Sequence, residues 1–400
     1  MAWFLRHQEI PKCGNLYINT LVRIAVLCEF MNSEITQELF HGIAELERTE
    51  RGFRPHRLSS KIVDLYCDPQ FSAMERQPSG CRLTFSTTAT QISLTIFSTR
   101  TVYLDSGRPG GTIDVLIDGA PALSTPTSGG ATTEVNFITG ATEQRGGDPQ
   151  VITLEDLSAE VKTVEFWLPH NEDIEIVTLE ANAAITPVED PRPKWINYGS
   201  SISQGSNATA PSKIWPALVA RNNELNLLNL GFGGSAMLDP FMARIIRDTP
   251  AEIITLEIGI NIVNGDVMRL RAFDAAVHGF IDTIRDGHPT TPITIISPFT
   301  CPIHEETPGP GAFDTSSFGS GQIKFIATGT PDNFGRLTLQ VIRQALEEIV
   351  EKRKDPHLSY VNGASLYTAA DAPLLDNLHP DAATHELIAS RFSLPNLEQA

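Results

Sequence analysis

Cysteine is scarce and unpatterned. The five present (Cys13, Cys28, Cys67, Cys81 and Cys301) are odd in number, widely scattered, and form neither a Cys-x-x-Cys pair nor a Cys/His ligand spacing, which argues against a disulfide framework and a structural zinc. Reduced thiols suit a cytoplasmic location, where the Asn207-Ala208-Thr209 sequon escapes glycosylation. Positive charge is also in short supply. Against 48 Asp and Glu there are 30 Lys and Arg, a formal net charge of −18, and such a surface repels phosphate backbones and anionic membranes. Nucleic acid is therefore not an expected partner, and the excess acid reads as solubilising charge. The apolar stretch 21–31 contains Arg23, is too short to span a bilayer, and lacks the basic leader and small-residue cleavage site of a signal peptide. It reads as an amphipathic or disordered leader, with Met31 as an alternative start, and no membrane span is expected.

What remains is an ordinary globular composition, 41% hydrophobic and 20% charged over 400 residues, more chain than one hydrophobic core usually serves. The hydrophobic period divides it. Between 56 and 190, Ile92, Leu94 and Ile96 alternate with polar residues, as do Val164, Phe166 and Leu168, and Gly-rich breaks at 107–111 and 128–130 separate the runs. Half-buried strands without helical crossovers predict two packed antiparallel sheets, a sandwich or jelly roll. Three prolines in 187–193 mark a linker. Beyond it, strands at 194–198, 225–230, 251–258, 291–297 and 358–362 alternate with helices at 212–223, 238–248, 269–286, 336–354 and 381–392, the signature of an α/β parallel sheet. The expected division is a leader of uncertain structure (1–55), an all-β domain (56–190) and an α/β domain (191–400).

Open α/β sheets hold ligands beyond the carboxyl ends of their strands, so chemistry is sought in the residues that follow each strand. The first strand runs into Gly199-Ser200-Ser201, a tight turn that presents a serine. The second ends in Asn229-Leu230-Gly231-Phe232-Gly233-Gly234, whose glycines let backbone donors approach a ligand. The third ends in Gly259-Ile260-Asn261, a side-chain amide at the same rim. Ahead of the last helix stands Asp376-Asn377-Leu378-His379, where the carboxylate can fold back onto the imidazole and leave its other nitrogen free as a base. Each segment alone has a plain alternative, a helix cap or a turn; the four together, each after a strand, do not.

This combination resembles the SGNH, or GDSL-type, serine hydrolase superfamily over about 191–395. The resemblance implies a flavodoxin-like three-layer fold and a Ser-His-Asp triad of Ser201, His379 and Asp376, with oxyanion donors at Ser201, Gly234 and Asn261. Gly234 is preferred to Gly233 because the family pattern Asn-x-Gly-x-x-Gly fits Asn229, Gly231 and Gly234 in register. Two positions depart from the pattern: the usual Asp of the first block is Ser200, which leaves Ser200 as an alternative nucleophile, and the Asp that often follows the third-block Asn is Ile262. A β-rich domain before such a site resembles two-domain carbohydrate esterases. The expected activity is hydrolysis of a small or glycosylated ester through an acyl-enzyme, with no cofactor or metal. Acyl transfer or lactone formation at the same site, and a glycan-binding protein with a degenerate hydrolase half, are the alternatives. The Gly/Pro/Ser-rich stretch 298–333 is a candidate lid, with Phe299, His304, Phe313 and Phe318 as candidate lining residues.

Overall fold

A computed structural model describes residues 30–395, except 67, 105, 107, 333 and 373. Most of the 21–31 stretch, and Cys13, Cys28 and Cys67, lie outside the described residues. The β-rich part forms an eight-stranded and a six-stranded sheet. They share one core, in which Leu83, Phe85, Val164 and Phe166 meet Ile92, Leu94, Ile96, Ile174 and Ile176, all fully buried. The period-two residues are therefore inward-facing, since alternate side chains of a strand share one face.

Two features depart from the sequence expectation. Short strands at Met31–Asn32, Phe40–His41, Glu45–Arg48 and Phe53–His56 extend the two sheets, so most of the residues expected as a leader between 31 and 55 belong to the β-rich part. The pairing is not wholly antiparallel either: Ile92–Tyr103 and Ala131–Val135 run parallel, Thr99 opposite Ala131. Parallel neighbours need a long crossover, and the chain between them makes one through the other sheet as the hairpin Thr112–Ile117 and Ala120–Pro126.

The second part holds a five-stranded parallel sheet of Lys194–Gly199, Asn226–Gly231, Ile253–Glu257, Ile293–Ile296 and Leu358–Val361. Its spatial order is second, first, third, fourth, fifth, the flavodoxin-like order, with its switch point beside the first strand. The strands read as continuous apolar runs because both faces are covered. The helices Trp215–Asn222 and Ala382–Arg391 pack together, as do Pro240–Asp248 and Leu270–Gly287. In Leu339–Arg353, Leu339, Ile342, Leu346 and Ile349 form the buried face at helical spacing.

Two short helices of the β-rich part, Ser60–Leu65 and Pro69–Glu75, serve the other core. Asp68 caps the second by accepting the Phe71 N–H at 2.7 Å, with Pro69 at the first helical position. Leu58 and Phe71 then join the apolar cluster of the parallel sheet, with Phe71 5.0 Å from Phe232 and 5.2 Å from Phe241. Arg57 completes the junction. Its buried guanidinium lies over the Phe232 ring and donates to the carbonyls of Met74, Asn229 and Gly231.

Candidate active site

The first strand ends at Gly199, where a Cβ would lie 2.4 Å from Ser203 Oγ and 2.5 Å from Glu257 Oε2, so only glycine passes. Ser200 caps the short helix Ser201–Gln204 by accepting the Ile202 N–H at 3.2 Å. That bond leaves its neighbour, half-buried Ser201, to face the imidazole. Gly205, at φ 113°, ends the turn in a backbone region favoured only for glycine.

His379 Nε2 lies 2.9 Å from Ser201 Oγ, and His379 Nδ1 lies 2.7 Å from Asp376 Oδ2. Asp376 Oδ1 accepts the N–H groups of Leu378 and His379 at 2.9 and 2.7 Å. Burial pushes the Asp376 carboxyl upward, but the His379 charge and hydrogen bond, with those two backbone donors, hold it below its ordinary value. An ionised Asp376 fixes the proton on Nδ1 and leaves Nε2 to accept the serine hydrogen.

The donor side forms around the second-strand loop. Gly233 donates its N–H to Gln204 Oε1 at 2.7 Å, while the Gly234 N–H has no acceptor among the described residues. Gly234 has φ 70°, in the left-handed region that favours glycine. Asn261 is buried, and its Oδ1 accepts the Ala236 N–H at 3.1 Å, which orients the amide and leaves Nδ2 free to donate. Ser201, the first residue of its helix, likewise has an N–H without an intrahelical acceptor. Of the five residues singled out in the sequence, Ser201, His379 and Asp376 are joined by hydrogen bonds, and Gly234 and Asn261 follow the two strands that flank the one ending before Ser201.

Residues 193–302 match the GDSL-like lipase/acylhydrolase family model. Asp376 and His379 lie beyond the GDSL-like segment and reach its serine only through the fold. A salicylyl-acyltransferase, SsfX3, from a tetracycline biosynthetic pathway aligns with 88% of this chain and 92% of its own at 25% identity and a TM-score of 0.68. A protein from Bacteroides ovatus ATCC 8483, provisionally named a GDSL-like lipase, aligns over 90% and 95% at 20% identity and a TM-score of 0.62. The fold also matches an acetyl xylan esterase from the rumen bacterium Butyrivibrio proteoclasticus, at 11% identity over 90% and 96% with a TM-score of 0.50. No curated protein matches the sequence.

Several residues at the site carry no signal in the sequence. Glu257, at the end of the third strand, is fully buried; its Oε2 accepts the Ser200 N–H at 2.6 Å and Ser203 Oγ–H at 3.1 Å, while Oε1 has no partner among the described residues. Burial pushes this carboxyl above its ordinary value despite those hydrogen bonds. Gln70 donates to the Gly233 carbonyl at 3.0 Å, bracing the donor loop from the β-rich side. Arg108 reaches within 3.8 Å of Asp376 Oδ2 from the same side.

The 298–333 stretch divides. Phe299 is core, packed against Trp215 with ring centroids 6.4 Å apart, and His304 is fully buried between Asn264 Oδ1 and the Thr307 carbonyl. Neither lines the site. The hairpin Gly311–Phe313 and Phe325–Ala327 does: Phe325 meets the His379 ring edge-on at 5.9 Å, and its N–H donates to the Asp376 carbonyl. Phe313 packs on Phe325, and Phe137 of the β-rich part packs on both Phe313 and Phe318. Asn333, at the end of that stretch, is outside the described residues. Among the described residues no cluster of three His, Cys, Asp or Glu side chains is arranged to hold a metal, and no helix is long and apolar enough to cross a membrane.

Proposed function

We propose that the protein is a serine-dependent acyl ester hydrolase working through an acyl-enzyme on a small or glycosylated ester. The observation that carries this reading is the continuous hydrogen-bonded line from Asp376 through His379 to Ser201, at 2.7 and 2.9 Å. His379 takes the Ser201 hydroxyl proton as Oγ attacks the acyl carbonyl, and Asp376 stabilises the imidazolium that forms. The oxyanion is met by the N–H groups of Ser201 and Gly234 and by Asn261 Nδ2. His379 then protonates the departing alcohol, and water repeats the sequence on the acyl-enzyme. A jelly-roll-like β region precedes this machinery in the reading, with the connector 187–193 leading into a catalytic region at 191–400.

A fluorophosphonate probe tests the proposal. Labelling that vanishes in Ser201→Ala, with turnover of nitrophenyl esters reduced on the order of a millionfold, is the expected result. Folded protein that takes no label refutes it. The likeness to the salicylyl-acyltransferase favours a second reading, in which an alcohol or amine acceptor replaces water at the same acyl-enzyme. Free acid as the only product with candidate acceptors present counts against transfer.

A further inference from the structure

Beside the donor loop lies a cavity of about 320 Å³ whose wall is shared between the two parts of the chain. Its body is aromatic. Tyr66 stacks on Phe241 with ring centroids 4.0 Å apart, and Phe71 meets Phe241 edge-on at 5.2 Å. Gly234 of the donor loop and Met237 complete its wall, and neither Ser201 nor any residue of the 376–379 segment lines it. Asp68 and Asp239 stand at its polar end, where burial, with the charge of Asp68 adding, pushes the Asp239 carboxyl above its ordinary value.

The placement decides which half of an ester this cavity serves. The alcohol must depart on the His379 side to collect its proton, and the carbonyl oxygen must lie on the donors. Gly234 belongs to both the donor loop and the cavity wall, so the remaining substituent of the carbonyl carbon, the acyl group, is the part directed here. We propose that this cavity is the acyl subsite and that it selects an uncharged acyl group with an aromatic ring. The inference rests on the esterase reading above. Three aromatic side chains offer stacked and edge-on partners to one more ring. The volume is at the lower end of the roughly 300–1,000 Å³ typical of small-ligand sites, room for a ring that an acetyl group would leave largely unfilled. Two neighbouring carboxyl groups disfavour an acyl group bearing its own carboxylate.

Half-buried Met237 takes no part in the proposed chemistry, and enlarging it fills the cavity. The experiment compares kcat/KM for nitrophenyl acetate, benzoate and 4-carboxybenzoate in the parent, Met237→Trp and the milder Met237→Phe, with fluorophosphonate labelling of each protein as the control. Met237→Trp is expected to lower the ratio of the benzoate to the acetate value by about tenfold or more, as expected for a crowded apolar pocket, with Met237→Phe intermediate. In the parent the 4-carboxybenzoate is the poorest of the three, and Asp239→Asn improves it selectively. If labelled, folded variants lose acetate and benzoate turnover in equal proportion, the subsite assignment is overturned while the esterase reading stands. If the parent itself takes no label and cleaves no ester, the esterase reading fails and the subsite with it.

Discussion

Removing the acid beneath the nucleophile turn separates two roles of a buried carboxyl. Glu257→Ala takes the acceptor from the Ser200 N–H and Ser203 Oγ–H, bonds now made at 2.6 and 3.1 Å with no water-exposed route to replace them. At about 1–3 kcal/mol for each unsatisfied buried group, the loss is about 2–6 kcal/mol before any cavity cost. The turn that aims Ser201 also loosens, and a misplacement of about 1 Å costs roughly a hundredfold in rate. Glu257→Gln keeps an oxygen for both donors and puts the amide at the unpartnered Oε1, so its activity stays within about tenfold of the parent, one hydrogen bond's worth. The sign of the pH effect follows from the raised carboxyl. The folded state binds that proton more tightly than the unfolded chain, so its contribution is full below the unfolded value of 4.5 and is lost as pH rises toward the folded value. Glu257→Gln should therefore gain stability relative to the parent between acid and neutral pH. Urea midpoints at pH 4.5 and 7.5, with kcat/KM at 7.5, measure both effects. A Gln variant as inactive as the Ala variant, or one whose relative stability falls with pH, refutes the reasoning.

Asn261→Ala removes one oxyanion donor and should lower kcat by about a hundred- to thousandfold while leaving fluorophosphonate labelling detectable; unchanged turnover in steady-state assays removes Asn261 from the donor set. Global stability should fall on acidification from pH 7 to 5. His170, held at about 3 by burial and by its neighbour His385, and His385, held at about 4 mainly by burial, stay neutral in the fold, while the unfolded chain protonates both near 6.5. His56 opposes this, since its paired carboxylates Glu75 and Glu47 raise it despite burial. His170→Leu should flatten the slope in urea titrations; an equal or steeper slope contradicts the assignment.

The α/β half was legible because Ser201, Gly234 and Asn261 follow closely where strands stop, and strand ends can be found from apolar runs and glycine breaks. Asp376 and His379 could be paired because three residues of chain suffice to bring carboxylate to ring. Glu257 was not legible: a single acid ending the run Ile253-Ile254-Thr255-Leu256 reads as a strand reaching the surface, and only the fold places it under Ser200 from 57 residues away. The preference for Gly234 rested on register alone, whereas the Gly233–Gln204 bond supplies a physical reason for it. Short strands between 31 and 56 and the helices at 60–75 escaped because pieces of two to seven residues carry too little periodicity to stand out. Arg57, Gln70 and Arg108 act across the junction of the two parts, a relation that no local pattern encodes.

Arg57 gives that junction a consequence of its own. Two backbone carbonyls in the segment that leads into Gly234, those of Asn229 and Gly231, take their charged partner from the other side of the proline-bearing connector. A chain trimmed to its α/β half would bare Phe232 and leave those carbonyls to water, slackening the very strand end on which the donor geometry depends. If the proposed chemistry holds, the front half is a structural part of it instead of a detachable accessory.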